Sequence, residues 1–284
     1  MTLTRRSLML AALAAPFARC ALATPRDETF ARDIQRIETA SGGRLGVAAF
    51  DTGRQVQLSY RGEERFPMCS TFKVLASSSI LARGPALLSK RIHYTKADLV
   101  PYAPVTELHL VDGMTNAELC AAAVQRSDNA AANLLMKQLG GPAGVTAFAR
   151  SLGDEMFRLD RWEPELNSAT PGDPRDTTTP VAMMRTLQKL ALGDTLAPAA
   201  RKLLVDWMLS SPTGTERIRA GVPAGWKVAD KTGSGSHGST NTIAVLYPPA
   251  KTPIVIAVYF TQSPKQRSDV VAAAARAVVA ALDA

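Results

Sequence analysis

The hydrophobic positions along the chain fall into three blocks, and each block predicts a different kind of structure. Near the start, helical spacing over 27–41 is followed by two strand patterns, 44–51 and 55–60, around a Thr-Gly turn. Between about residues 70 and 209 the spacing is mostly helical. The predicted helices of this middle block are 118–125, 127–139, 142–152, 179–192 and 197–209. The predicted strands and final helix of the last block are 227–234, 241–247, 253–261 and 270–282.

The order of the blocks predicts how they assemble. Strands from the two ends of the chain would form one sheet, which makes the middle block an insertion. We therefore predict an α/β fold of the α+β type: a five-stranded antiparallel sheet flanked by terminal helices, with an inserted all-helical domain. The sheet domain would comprise 24–65 plus 211–284, and the helical domain 66–210. The long acidic loop at 159–178 lies in the insertion, and such loops are usually functional.

Residues 1–23 read as an export signal. Arg5 and Arg6 precede an apolar run, and a small-x-small cleavage site closes the segment. The paired arginines fit the twin-arginine route, and an ordinary secretory signal stays open as the alternative. Arg19 before Cys20 is a poor lipobox, and no later stretch reaches the ~18 apolar residues of a membrane span. We expect a mature protein that is not membrane-bound, in the periplasm or outside the cell.

Composition narrows the function classes. The 284 residues carry a formal net charge of +8, with 46% hydrophobic and 20% charged residues, which is typical of a globular protein. Lysine and arginine form no run interleaved with aromatic residues, so we expect no nucleic-acid partner. The histidines, His93, His109 and His237, show no metal-ligand spacing, so we expect no metal and no cofactor.

Four short motifs could carry chemistry, although each has an ordinary structural explanation. If Ser70 of S-x-x-K begins a helix, Lys73 lies on the same face and could take its proton; alone, the pair is more often an N-cap serine with a solvated lysine. S-D-N at 127–129 could relay a proton, or form a turn. K-T-G at 231–233 suits a carboxylate beside a strand edge, or a bulge. E-x-x-L-N at 163–167 could deprotonate a water, or belong to a solvated loop.

The order and spacing of the motifs are more specific than any one of them. Counted from Ser70, S-D-N begins 57 positions later, Glu163 lies 93 positions later, and K-T-G begins 161 positions later. This set resembles the class A serine β-lactamases, whose signature contains S-x-x-K, S-D-N and K-T-G. The E-x-x-L-N segment is similar to the loop that separates class A from its relatives. The resemblance covers essentially all of the chain after residue 23, and it implies an enzyme that hydrolyses β-lactam antibiotics through a serine acyl-enzyme and so confers resistance.

The resemblance implies a role for each catalytic residue. Ser70 would attack the β-lactam carbonyl, and Ser127 would pass a proton to the departing ring nitrogen. The base in acylation would be either Lys73 or Glu163 acting through a water, and both alternatives stay open. The oxyanion hole would consist of the backbone N–H groups of Ser70 and Ser234.

Further residues follow from the same resemblance. Glu163 with Asn167 would activate the water that cleaves the acyl-enzyme. Arg161 and Asp176 resemble a family salt bridge across the neck of the loop. The residues implied to contact the substrate are Tyr102, Asn129, Asn167, Arg217, Lys231, Thr232, Gly233 and Ser234.

The chain also departs from other family members. Thr240 stands where some members carry a carboxylate-binding arginine, so Arg217 is expected to take that role. Cys69 precedes the nucleophile as in several carbapenem-hydrolysing members, but the cysteine that pairs with it there is absent. Cys120 likewise lacks its family partner, so we expect two free thiols in the mature enzyme. His237 is read as a surface-loop residue.

The substrate range is only partly implied. The small residues at 234–236 leave room for bulky oxyimino groups, so we expect cephalosporins beside penicillins, with carbapenems left open. The expected partners are β-lactam antibiotics and covalent inhibitors of serine β-lactamases, and the expected state is a monomer. A D-alanyl-D-alanine peptidase would share the serine and lysine motifs but should lack Glu163 with Asn167 and usually carries a membrane anchor. A β-lactam sensor that stays acylated would normally need a transmembrane segment or a partner domain.

Overall fold

The computed structural model describes residues 25–283. Its strands are β1 Arg44–Asp51, β2 Val56–Tyr60, β3 Phe66–Pro67, β4 Arg91–Ile92, β5 Met114–Thr115, β6 Thr177–Thr178, β7 Lys227–Ser234, β8 Thr240–Tyr247 and β9 Ile254–Thr261. Its helices are α1 Pro25–Ser41, α2 Lys73–Ala82, α3 Pro85–Ser89, α4 Asn116–Gln125, α5 Asn129–Leu139, α6 Pro142–Ser151, α7 Pro180–Ala191, α8 Pro198–Leu209 and α9 Ser268–Asp283. The predicted export signal at 1–23 lies outside the described residues.

The main sheet has five strands in the order β2-β1-β9-β8-β7, and every neighbouring pair is antiparallel. The predicted fold class is therefore confirmed, with strands from both ends of the chain in one sheet. The insertion also contains two small antiparallel pairs, β3 with β6 and β4 with β5, which the sequence pattern did not predict. Two-residue strands are too short to show an alternating pattern.

The two faces of the sheet are covered differently. One face packs against the terminal helices through residues such as Phe30 and Ile34 of α1 and Val271 and Val278 of α9. The other face joins the core of the inserted block, and α7 lies directly against it. The alternation of side chains along each strand supplies both cores at once. The division of the chain into 24–65 plus 211–284 and 66–210 stays a prediction.

Local signals set the start of helix α5. Helix α5 begins at Asn129, two residues later than predicted, because the Asp128 side chain accepts a hydrogen bond from Ala131 N and acts as the N-cap. Ser127 has a positive φ of 57°, so it cannot continue a helix.

Between residues 25 and 283, no helix is long and apolar enough to cross a membrane.

Candidate active site

A cleft of about 510 Å³ opens where the end of β7 meets the inserted helical block. It is lined by Ser70, Tyr102, Ser127, Asn129, Asn167, Thr213, Arg217, Thr232, Gly233 and Ser234. The structure thus brings together segments that are up to 164 positions apart in the chain. Of this lining, Thr213 is the residue that the sequence analysis did not single out. The charged groups Lys73, Glu163 and Lys231 are buried beside the cleft.

Ser70 lies in a short 3-10 turn, Cys69–Phe72, immediately before α2. The sequence left open whether Ser70 begins a helix, and here it occupies this tighter turn. Cys69 has a φ of 45°, a left-handed conformation that is strained for a residue with a side chain. Thr71 holds the turn closed, since both its N–H and its hydroxyl donate to Met68 O, at 3.2 and 2.7 Å. The Ser70 hydroxyl donates to Glu163 Oε1 at 3.3 Å.

Lys73 is the first residue of α2 and its side chain is fully buried. Its ammonium lies 3.0 Å from Glu163 Oε1 and donates to Ser127 O at 2.7 Å and to Asn129 Oδ1 at 2.6 Å. Burial lowers the pKa of Lys73, and the Glu163 carboxylate opposes that shift. The Ser70 hydroxyl and the Lys73 ammonium therefore share one carboxylate oxygen. Such an arrangement can move a proton between three groups.

The loop that carries Glu163 is braced at its neck. Arg161 Nε lies 2.5 Å from Asp176 Oδ2, so the predicted salt bridge is present. Asp176 also accepts the backbone N–H groups of Asp160 and Arg161, at 2.8 and 2.9 Å. The Asp176 side chain is 1% exposed, so these bonds are shielded from water. The brace therefore ties together the two ends of the loop that carries Glu163.

A second clamp acts directly on Glu163. The Asn133 amide on α5 donates to Glu163 O at 2.9 Å and accepts from Glu163 N at 3.0 Å. The Asn167 amide donates to the free carboxylate oxygen, Glu163 Oε2. Both oxygens of the buried carboxylate are therefore held by named donors, and its orientation is fixed before any ligand arrives.

Lys231 and Ser127 form the opposite wall. The Lys231 side chain is fully buried in β7, and its ammonium donates to Ser127 Oγ at 2.9 Å and to Thr232 O at 2.7 Å. Burial, followed by the nearby charge of Lys73, holds the pKa of Lys231 well below its usual range. Ser127 thus links the two buried lysines through its hydroxyl and its carbonyl.

Arg217 closes the cleft at the end of β7. Its guanidinium donates to Gly233 O and Asn241 O, both at 2.8 Å, and to Ser234 Oγ at 2.8 Å. Burial lowers its pKa, although three acceptors hold the cation in place. Thr240, on β8, instead accepts a hydrogen bond from the backbone of Arg267. Of the two positions compared in the sequence, the structure brings Arg217 to the cleft.

Asn129 and Tyr102 form the outer wall. The Asn129 amide is already engaged, because its oxygen accepts from Lys73 and its nitrogen donates to Pro101 O at 2.8 Å. A ligand amide would have to use the remaining hydrogen or displace one of these partners. Tyr102 is 61% exposed, and its backbone carbonyl accepts from Asn129 N at 2.9 Å.

The sulfur and imidazole groups near the cleft are not part of its lining. Cys69 and Cys120 are buried and unpaired in the part of the chain that the structure describes. Burial raises the pKa of each thiol to about 12. His237 is exposed in the turn between β7 and β8, as the sequence indicated. Among residues 25–283, no group of three or more His, Cys, Asp or Glu is arranged to hold a metal ion.

Comparison with known proteins shows the family to which this chain belongs. The β-lactamase enzyme family matches residues 29–282. The carbapenem-hydrolysing β-lactamase KPC of Klebsiella oxytoca is 52% identical, over 97% of this chain and 96% of its own length. The β-lactamase Toho-1 of Escherichia coli is 53% identical over 87% of both chains. This chain belongs to the β-lactamase family.

Solved structures of class A β-lactamases agree closely with the fold. The class A β-lactamase of the last common ancestor of Gram-negative bacteria has a TM-score of 0.87 and 57% identity, over 89% of this chain and 99% of that chain. A β-lactamase from Desulfarculus baarsii has a TM-score of 0.89 and 51% identity, over 91% and 98%. The class A resemblance, and with it the expectation of a serine-type hydrolase, is confirmed.

The β-lactamase motifs did not reveal every residue that shapes this site. Asn133 lies one helical turn after Asn129 on α5, so its placement on the same face could have been found from the sequence. Asp128 was noted only as part of S-D-N, yet its carboxylate holds the backbone of Val105 and Thr106, both at 2.9 Å. No sequence signal pointed to Thr213, which bonds Thr232 Oγ1 at 2.8 Å through a tertiary contact.

Proposed function

We propose that this protein hydrolyses the amide bond of penicillins and cephalosporins in two steps, through an acyl-enzyme on Ser70. The observation that carries the proposal is the shared carboxylate oxygen: Glu163 Oε1 lies 3.3 Å from Ser70 Oγ and 3.0 Å from Lys73 Nζ. A nucleophile within hydrogen-bond distance of a buried base is the arrangement that nucleophilic catalysis requires.

In acylation, Ser70 Oγ attacks the carbonyl carbon and the ring C–N bond breaks. The serine proton passes to the Lys73 and Glu163 pair, and the ring nitrogen receives a proton through Ser127. The hydrogen bond from Lys231 Nζ to Ser127 Oγ at 2.9 Å supports this route, because it orients the hydroxyl that must donate. Charge on the carbonyl oxygen is stabilised by the N–H groups of Ser70 and Ser234.

In deacylation, a water loses its proton to Glu163 and attacks the ester carbon. The ester bond to Ser70 breaks, and Ser70 recovers its hydrogen. Asn167 orients the Glu163 carboxylate, and the Asn133 side chain holds the Glu163 backbone in place. This step separates a β-lactamase from a penicillin-binding peptidase or a sensor, which would stop at the adduct.

Recognition of the substrate carboxylate is assigned to the end of β7. Lys231, Thr232 and Ser234 lie on this strand. The Arg217 guanidinium donates a hydrogen bond to Ser234 Oγ. Buried cations favour an anion at this end of the cleft. Tyr102 and Asn129 flank the acyl side chain. Similarity to a relative named for carbapenem hydrolysis makes a carbapenem the first additional substrate to assay.

The setting of this activity is part of the proposal. We propose a monomeric enzyme, exported by residues 1–23 to the periplasm or the medium, where it would meet antibiotics and covalent serine β-lactamase inhibitors. Fractionation of cells that express the full chain would test the export. Retention of the activity in the cytoplasmic fraction would contradict it.

The function is tested by assaying the mature chain with excess benzylpenicillin and recording intact mass in parallel. We expect many turnovers and no lasting adduct. Glu163→Gln should acylate but lose turnover by about 10²–10⁴-fold, with a stable mass increase of one substrate. Glu165→Gln is the matched control, because Glu165 is an exposed carboxylate in the same loop. One equivalent consumed by the parent, with a stable adduct, would indicate a peptidase or a sensor instead.

A further inference from the structure

One row of residues across four strands of the sheet carries the segment that holds Ser70. In the antiparallel register, Gly46 of β1 faces Tyr259 of β9, Tyr259 faces Asn241 of β8, and Asn241 faces Gly233 of β7. Residues aligned in this way point to the same face of a sheet. Each member of the row meets a different part of the segment 66–71.

The two glycines allow the segment to approach. A Cβ built on Gly46 would lie 2.4 Å from the Phe66 ring, and a Cβ on Gly233 would lie 3.0 Å from Met68 O and 3.3 Å from Ser70 N. Contacts this short leave no space for a side chain on Gly46 and only a strained one on Gly233. The row therefore seats Phe66 at one end and the backbone of Ser70 at the other.

The two larger residues of the row tie the segment down with hydrogen bonds. Asn241 Nδ2 donates to Pro67 O at 2.8 Å. Tyr259 OH lies 3.0 Å from Thr71 Oγ1, and the Thr71 hydroxyl hydrogen is used by Met68 O at 2.7 Å. Tyr259 must therefore be the donor to Thr71. Tyr259 is fully buried, and Thr71 is its hydrogen-bond partner among the described residues.

This chain of bonds ends at the strained turn before the nucleophile. Thr71 closes the turn onto Met68 O, and the turn holds Cys69 at a φ of 45°. The Ser70 N–H belongs to the peptide that follows Cys69, so its direction depends on the backbone conformation in which the turn holds Cys69. We propose that Tyr259 is a positioning residue that sets the Ser70 N–H for the oxyanion, acting through Thr71. This inference rests on the proposed function.

The test removes one hydroxyl, with Tyr259→Phe. We expect the acylation rate with benzylpenicillin to fall about tenfold while the affinity of the non-covalent complex stays unchanged. A misaimed donor should cost less than the 10²–10³-fold measured when such a donor is lost. In the Glu163→Gln background, the ester carbonyl of the adduct should absorb at a higher infrared frequency, because a weaker hydrogen bond leaves the C=O bond stiffer.

Two further variants make the test specific. Thr71→Val removes both the bond from Tyr259 and the bond to Met68 O, so its carbonyl shift should be at least as large. Adding Tyr259→Phe to Thr71→Val should cause no further change, since Tyr259 acts through the Thr71 hydroxyl. Thr71→Ser should restore parental values. Tyr60→Phe is the matched control. Tyr60 lies on β2, at the edge of the sheet opposite β7, and its hydroxyl donates to Glu38 Oε2 of α1 at 2.7 Å.

The outcomes separate this inference from the proposed function. Failure of the parent to turn over substrate would overturn the function. A parent that turns over normally, with a Tyr259→Phe variant of equal acylation rate and equal carbonyl frequency, would overturn the positioning role even if the variant melts at a lower temperature. If Tyr259→Phe does not fold, the Thr71→Val and Thr71→Ser pair decides the question through the same two measurements.

Discussion

Replacing Asp176 with asparagine should loosen the loop that carries Glu163. The asparagine oxygen can still accept the backbone N–H groups of Asp160 and Arg161. Its amide nitrogen would face Arg161 Nε, where the carboxylate now accepts at 2.5 Å. The variant loses one charge-assisted hydrogen bond, worth about 1.5–3 kcal/mol, and weakens two others. We expect a loss of about 3 kcal/mol in the free energy of unfolding.

For a chain of this size, a loss of about 3 kcal/mol corresponds to a fall in Tm of about 6–12 °C. Differential scanning calorimetry measures the fall directly. Because Arg161 lies two residues before Glu163, we also expect deacylation to slow by about tenfold, and acylation to slow less. Stopped-flow kinetics with benzylpenicillin would separate the two steps.

The matched control is Asp206→Asn. Asp206 pairs with Lys202 at 2.6 Å, but the two side chains are 47% and 76% exposed, so the pair should contribute under about 0.5 kcal/mol. A Tm loss for Asp176→Asn no larger than that of the control would refute the reasoning about the buried brace. An unchanged deacylation rate would show that the brace does not position Glu163.

Four further results are expected. Asn133→Ala should cost about 2 kcal/mol of unfolding free energy and slow deacylation, because two hydrogen bonds to the Glu163 backbone are lost; unchanged urea unfolding would contradict this. With the pKa of Cys69 and Cys120 raised to about 12, an aromatic disulfide reagent at pH 8 should label them only after unfolding. Since unfolded thiols ionise near about 8.5, the stability that these groups contribute should decline as the pH rises from there. Chelation with EDTA should leave hydrolysis unchanged, and a loss that zinc restores would overturn the serine mechanism.

Much of the fold was visible in the sequence. The five main strands were predicted to within one residue at each end, because each is flanked by turns and buries at least one face. Helices α4 to α8 were predicted to within two residues. Helix α2 was harder to predict from periodicity, since it is buried on nearly all sides and has no polar face to mark its limits.

The residues of the candidate site were likewise predicted only in part. The spacing of S-x-x-K, S-D-N, E-x-x-L-N and K-T-G indicated which residues to expect, and the structure brings them to one cleft. Their partners were not predictable from the motifs. The amide of Asn129 is engaged by Lys73, and Asn133 rather than any motif residue holds the Glu163 backbone.

By itself, the sequence determined the chemistry available to this protein: a serine, two lysines and a carboxylate, at the spacing of one enzyme family. Periodicity also indicated which hydrophobic side chains of each amphipathic helix or strand would face the core. Only the tertiary structure decided which distant backbone each buried group would meet. Glu163 lies 93 positions from Ser70, and Tyr259 lies 188 positions from Thr71. Such contacts depend on how elements pack against one another, and packing is a property of the whole core that no local pattern contains.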